Sequence, residues 1–344
     1  MELKKIIFNL CNSAGPSGQE YGPKKIILDV LKDIMNINTD KMGNIICENN
    51  PKGQIKQHIL LDAHIDEVGL IVTGFENGFI KVTNVGGLDA RILPGTEVII
   101  WGKVPVKGLF CTTPPHLIKA GDKSGADITR FFIDTGLTAN ELDSAVTYGD
   151  RVTFCGNAGD LLGFRFCGKS LDNRVGAAVL IAVMLTHIKE YEEAGIKITI
   201  LFSAQEETGC TGAITGAYNI NPDKAIVIDT TFALSAGCPP HKCGKMSEGP
   251  MIGISPSLNK EISEELKMIA KKNNIKYQVE VMAGKTGTNA DFIGITKDGI
   301  KTGLVSIPIK YMHTSVEQAD LEDIKDTCRL IHAFIINQKE GLTE

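Results

Sequence analysis

The sequence predicts an α/β fold: a mixed sheet covered by helices on both faces, with an inserted small all-β domain. Three observations predict it. Short apolar runs alternate with amphipathic stretches in both terminal parts of the chain, as in strands joined by helices. From residue 68 to 163 the texture changes to short β-branched runs punctuated by Gly and Pro, as in a compact all-β unit. Hydrophobic side chains make up 43% of the 344 residues, enough for a sizeable core.

In chain order, the apolar spacing at 3–10 and 23–35 predicts two helices ahead of the first strand. Residues 58–63 are a short apolar run, the pattern of a buried strand. The runs 68–73, 79–83, 97–101 and 151–154 predict strands of the β unit, expected to span 67–163. Residues 1–66 and 164–344 would then form one domain from both ends of the chain. In it, 172–191 reads as a helix with a wide apolar face that includes Ala177, Ala178, Leu180, Ile181 and Val183. Residues 196–202 and 225–228 read as buried strands, 304–309 is a further apolar run, and 258–272 and 321–336 read as amphipathic helices.

Composition narrows the function. Lys plus Arg total 36 against 41 Asp plus Glu, a net charge of −5, which supplies no basic field for nucleic acid. No window of about 20 residues is free of charge, so no transmembrane helix and no membrane partner are expected. The start, Met1-Glu2-Leu3-Lys4-Lys5, leads into an apolar stretch that Asn9 and Asn12 soon interrupt, which suits an amphipathic helix better than a signal peptide. Nine cysteines in a chain of this length suit reduced thiols in a cytoplasmic protein.

Ionisable residues collect where the predicted strands end: His64 and Asp66 after 58–63, Glu206 and Glu207 after 196–203, Asp229 after 225–228, and His313 after 304–309. Asp172 opens the long helix. Ligands of open α/β sheets gather at the carboxyl ends of strands. Singly, each has an ordinary reading. Asp172 is a helix N-cap, Glu206-Glu207 a solvated acidic pair near a helix start, each histidine a structural one, and Asp229 a turn cap. Together, two imidazoles and three carboxylates suffice for two divalent cations sharing one carboxylate, with donors suited to Zn²⁺, Co²⁺ or Mn²⁺. A fourth, uncoordinated carboxylate could act as a base.

The motifs Ala63-His64-Ile65-Asp66-Glu67, Ser170-Leu171-Asp172-Asn173-Arg174-Val175-Gly176, Gln205-Glu206-Glu207-Thr208-Gly209 and Tyr311-Met312-His313-Thr314 stand in one order along the chain. In that order the sequence resembles the M42 family of metallo-aminopeptidases, glutamyl or deblocking enzymes, some labelled cellulases. The resemblance runs from Pro16-Ser17-Gly18-Gln19-Glu20 to the last helix, through Pro114-Pro115-His116 and Gly287-Thr288-Asn289-Ala290-Asp291. It implies a two-metal aminopeptidase-like fold. It also implies that His64 and Asp229 bind one metal, that Glu207 and His313 bind the other, and that Asp172 bridges them. Glu206 would be the general base and Asp66 the carboxylate that orients His64. A cis Asp172–Asn173 peptide is a further implication. The insertion resembles a dimerisation domain, and the implied assembly is a homo-oligomer, from a dimer to a tetrahedral dodecamer.

The expected reaction is hydrolysis of the peptide bond after a free N-terminal residue, through a hydroxide held by two divalent metals, Zn²⁺ or Co²⁺ with Mn²⁺ as a third candidate. The alternatives are a glycoside hydrolase of endoglucanase type and a non-catalytic oligomeric metal-binding protein. A glycosidase needs two carboxyl groups and no His–carboxylate metal site, and one Trp and six Tyr are few for a sugar groove. Gly284-Lys285-Thr286 resembles the end of a phosphate-binding loop, but Val279 occupies the place of the first Gly. Cys238, His241 and Cys243 have no second donor pair nearby to complete a zinc site, and the sequence leaves His116 without a role.

Overall fold

The computed structural model of the chain describes residues 2–117, 127–156 and 158–339. Its central sheet has eight strands. In spatial order they are Asn36–Thr39, Ile45–Glu48, Ile196–Ser203, Gln57–His64, Lys224–Phe232, Lys301–Ile309, Met251–Ile254 and Gln278–Val281. The four middle strands, 196–203 to 301–309, run parallel; strands 45–48 and 251–254 flank them antiparallel on the two sides, and the far edge strand 278–281 runs parallel to 251–254. This is the mixed α/β sheet expected.

Strand alternation sorts the core into two layers, because successive side chains point to opposite faces. Ile59 and Leu61 face a large cluster with Val175, Val179 and Leu180 of helix Leu171–Glu193 and with Leu330 and Phe334 of helix Leu321–Asn337. Leu60, Leu201 and Val227 face the opposite layer, closed by Ala213 and Ala217 of helix Thr211–Ile220 and by Ile293. Helix Leu171–Glu193 is long and apolar enough to cross a membrane, yet it lies at the centre of the first layer, 78% buried over its most apolar window.

The β unit is a closed six-stranded barrel in the order Gly69–Glu76, Phe79–Val85, Phe132–Asp134, Pro105–Cys111, Glu97–Trp101 and Arg151–Phe154. The pairs Leu70/Val72, Ile80/Val82, Val98/Ile100 and Val152/Phe154, each at a spacing of two, fill its interior. The expected unit 67–163 includes residues 118–126 and 157, and 164–344 includes 340–344, all of which lie outside the described residues.

Three local expectations need correction. Two strands, Asn36–Thr39 and Ile45–Glu48, precede the one expected first. Asn36-Ile37-Asn38-Thr39 is a polar edge strand whose short length hides its alternation. The second helix ends at Leu31, not 35, and the chain then turns into that edge strand. The all-β unit also contains a helix, Ala139–Ala145. The Thr138 hydroxyl accepts the Glu141 N–H while the Glu141 carboxylate accepts the Thr138 N–H, a capping box legible in the sequence.

Candidate metal centre and active site

The parallel strands bring the expected residues together at their carboxyl ends. Register pairs Ser203 with His64. The pairing of Val227 with Asp62, continued by two residues, sets Asp229 beside His64. The turns that leave these strands need left-handed backbone at non-glycine residues: Gln205 (φ 58°) before the Glu206-Glu207 pair, and Tyr311 (φ 59°) and His313 (φ 62°) after strand Lys301–Ile309. Such conformations cost of order 1–3 kcal/mol each and cluster where side-chain aim matters. Asp172 and Asn173 keep non-helical dihedrals at the helix start, and the peptide bond between them is cis, as expected.

One carboxylate lies at the centre. Asp172 Oδ1 is 3.1 Å from His64 Nε2, and Asp172 Oδ2 is 3.4 Å from His313 Nε2. On the first side Asp229 Oδ1 lies 3.7 Å from the same His64 nitrogen. On the second, Glu207 Oε1 lies 3.3 Å from His313 Nε2. Asp172 thus turns its oxygens to two histidines instead of capping its own helix. All five expected ligands and Glu206 line one cavity of about 840 Å³.

The surrounding groups fix this arrangement. Asp66 Oδ1 faces His64 Nδ1 at 3.3 Å, while its two oxygens accept the Glu206 and Glu207 N–H groups at 3.0 and 3.1 Å. His313 Nδ1 lies 2.5 Å from the Gly87 carbonyl, on the segment leaving barrel strand Phe79–Val85. Sequence reasoning missed Glu317. Buried, it accepts the Asp172 N–H at 3.0 Å and the His313 N–H at 2.6 Å, tying two motifs to one side chain. Nothing in its local sequence, Val316-Glu317-Gln318, marks it. Glu67 ends the first motif beside Asp66. It is buried against Lys169 at 2.7 Å and accepts the Gly15 N–H.

Burial pulls the imidazoles toward their neutral form, but carboxylate partners outweigh it. Asp172 and Asp66 raise His64 well above its usual value, and Asp172 and Glu207 raise His313 to about 11. Burial and mutual repulsion push up Glu206, to about 7, and also Glu207 and Asp229. Asp172 goes the other way. Burial opposes its charge, but His313 and His64 hold it well below the usual carboxylate range. Buried carboxylates crowded around two imidazoles are stabilised by positive charge, whether from the imidazoliums or from a bound cation.

The donors fit a divalent metal. His64, Asp172 and Glu207 each offer an atom within 4.8 Å of the others. Glu207 Oε1 is buried without a hydrogen bond, although it faces His313. Mixed oxygen and nitrogen donors suit Zn²⁺, Co²⁺ or Mn²⁺. A second donor group, His187, Glu190 and His332, lies roughly 20 Å along the long helix. Its glutamate faces Lys339 at 3.8 Å.

The competing motifs resolve otherwise. Thr286 and Gly287 donate backbone N–H groups to Asp291, which closes that loop on itself. Asn289 donates to Asp62 and Ser203 beneath the site, both at 2.8 Å. Cys238 and Cys243 are unpaired thiols, and Cys243 lines the cavity with His241. His116 is exposed.

A family model described as M42 glutamyl aminopeptidase matches residues 43–330. The lysyl aminopeptidase of Pyrococcus furiosus is 30% identical over 97% of this chain and 95% of its own. Among solved structures, the TET aminopeptidase of Thaumarchaeota archaeon SCGC AB-539-E09 superposes with a TM-score of 0.92, at 27% identity over 99% of both chains. The TET1 peptidase of Pyrococcus horikoshii, described as assembling into a tetrahedron or a large octahedral shell, gives 0.85 at 31% identity, over 97% of this chain and 99% of its own.

Proposed function

Because the chain belongs to the M42 glutamyl aminopeptidase family, we propose that it is a two-metal aminopeptidase that removes residues from peptides with a free N-terminus. One observation carries this reading: Asp172 turns one oxygen to His64 and the other to His313, and Asp229 and Glu207 complete the two sides. His64 and Asp229 would hold one cation, His313 and Glu207 the other, and Asp172 would be shared. Zn²⁺ or Co²⁺ fits these donors, with Mn²⁺ a third candidate. When bound, the cations polarise the scissile carbonyl and acidify the attacking water.

The chain's own groups move the proton. Glu206 lines the same cavity, and among the described residues no histidine lies within hydrogen-bond or ion-pair distance of its carboxylate; its Oε1 meets the Cys210 thiol at 3.5 Å. Burial and its acidic neighbours raise it to about 7, so it can take a proton from water and release it to the leaving amine. Asp66 orients His64 through Nδ1, leaving Nε2 as the donor. It also anchors the backbone of Glu206 and Glu207, so the base and the ligand share one support.

We extend the reading to assembly and location. A homo-oligomer, from a dimer to a tetrahedral dodecamer, is supported by relatives that assemble as tetrahedral or octahedral shells, and the unit 67–163 would make the contacts. Nine unpaired cysteines support a reducing cytoplasmic setting. The test is a panel of amino-acid p-nitroanilides with a cellulose oligomer as control. Release from p-nitroanilides that EDTA abolishes and Zn²⁺, Co²⁺ or Mn²⁺ restores supports the reading. Cleavage of the oligomer with no p-nitroaniline released overturns it.

A further inference from the structure

The cavity that holds the proposed metal donors contains a further acid, Glu280, on the edge strand Gln278–Val281. We propose that Glu280 selects the substrate's N-terminal side chain, and that the preferred substrates begin with lysine or arginine. The proposal rests on the aminopeptidase reading and assigns its substrate class.

Position comes first. Glu280 Oε1 receives the Thr231 hydroxyl at 2.5 Å, and Ser306 lies near its carboxylate. Thr231 stands two residues after Asp229 on one strand, so the two share a face about 7 Å apart. Ser306 pairs directly across from Asp229. The carboxylate is therefore moored to Thr231 and lies near Ser306, both close neighbours of a proposed metal ligand. A lysine or arginine side chain whose own carbonyl sits among the proposed ligands would have to reach across a separation of this order.

Chemistry comes second. Met251, Met282 and Leu304 give the cavity apolar wall, suited to the methylene stem of a long basic side chain. The Thr231 hydroxyl fills only part of the carboxylate's acceptor capacity, which is roughly four sites. Among the described residues no Lys or Arg forms an ion pair with Glu280; Lys242 lines the same cavity from an exposed turn without pairing with it. A half-buried acid without a cationic partner favours a substrate that brings the cation. An acidic substrate side chain would meet like charge, and an apolar one would strip water from the carboxylate without replacing it.

The test uses the metal-loaded full-length enzyme on lysyl, arginyl, leucyl and glutamyl p-nitroanilides. Lysyl and arginyl substrates should exceed the other two in kcat/KM by roughly tenfold or more. Glu280→Gln should lower the lysyl-to-leucyl ratio by roughly tenfold, chiefly through KM, and Glu280→Lys should raise the relative rate on the glutamyl substrate. A wild type that prefers leucyl or glutamyl substrate overturns the proposal. So does an equal loss on every substrate in Glu280→Gln, which would show a structural role or a grip on the α-amine. Failure to release p-nitroaniline from any of the four would instead strike the aminopeptidase reading, and this proposal with it.

Discussion

Glu206 and Glu207 are adjacent, hang from the same Asp66 carboxylate by their N–H groups, and face different partners. Glu207 looks toward His313 at 3.3 Å, whereas Glu206 faces the cavity and, among the described residues, has no histidine within ion-pair distance. Replacing each with Gln separates binding from chemistry. Glu206→Gln should keep its metal content while kcat falls by about 10²–10⁴, the usual contribution of a positioned base. Glu207→Gln should lose metal and recover part of its activity at high metal concentration. Metal analysis beside kcat checks both, and the reverse pattern would exchange the roles. These residues were legible because each lies at a strand end in a short motif. Glu317 was not, because it works through the N–H groups of Asp172 and His313 from a segment with no motif of its own. Glu280 was hidden for a similar reason: it stands in an ordinary alternating strand, and only the fold brings Thr231 and Ser306 to it.

At the scale of elements, the barrel and the sheet meet closely at the site. Gly86 (φ 86°) leaves the barrel strand Phe79–Val85 beside Glu207. A Cβ placed there would lie 3.0 Å from Val68 Cγ1 and 3.3 Å from Glu207 Cβ. Gly86→Val should therefore cost about 1–3 kcal/mol in backbone strain alone and weaken metal binding at the Glu207 side. Denaturant titration and metal analysis check this; wild-type values in both would refute the contact's importance. A second prediction concerns helix Leu321–Asn337. Burial raises Asp323 in its first turn from 3.8 to about 6, although the Ser247 and Gly249 N–H groups favour its charge. A carboxyl held above its unfolded value adds stability that is complete below about pH 4 and lost as pH rises through about 6. Between about pH 5 and about pH 8 the wild type should lose about 1–2 kcal/mol more than Asp323→Asn. Parallel unfolding curves for the two proteins at both pH values would contradict it. The long elements were legible from apolar period, whereas the edge strand Asn36–Thr39 was too short and polar to show one.

Over the whole molecule, the α/β sheet and the separate all-β unit were both legible because their textures differ, long βα alternation on either side of short punctuated strands; that the unit closes into a barrel was not. Their meeting at Gly86, Gly87 and His313 was not, since it joins residues more than two hundred positions apart through a backbone carbonyl. The barrel residues contribute none of the five proposed ligands, which leaves this unit free for assembly. Light scattering should find a species larger than the 37.1 kDa chain, and a strictly monomeric protein would remove that role. The central claim is narrower: one carboxylate, Asp172, is shared by two metal ions. Metal content per subunit, measured after dialysis of wild type and Asp172→Ala, tests it most directly. The account predicts two equivalents in the wild type and the loss of metal from both sites in the variant, because both histidine–carboxylate pairs lose their common donor. Two fully occupied sites in Asp172→Ala would contradict it.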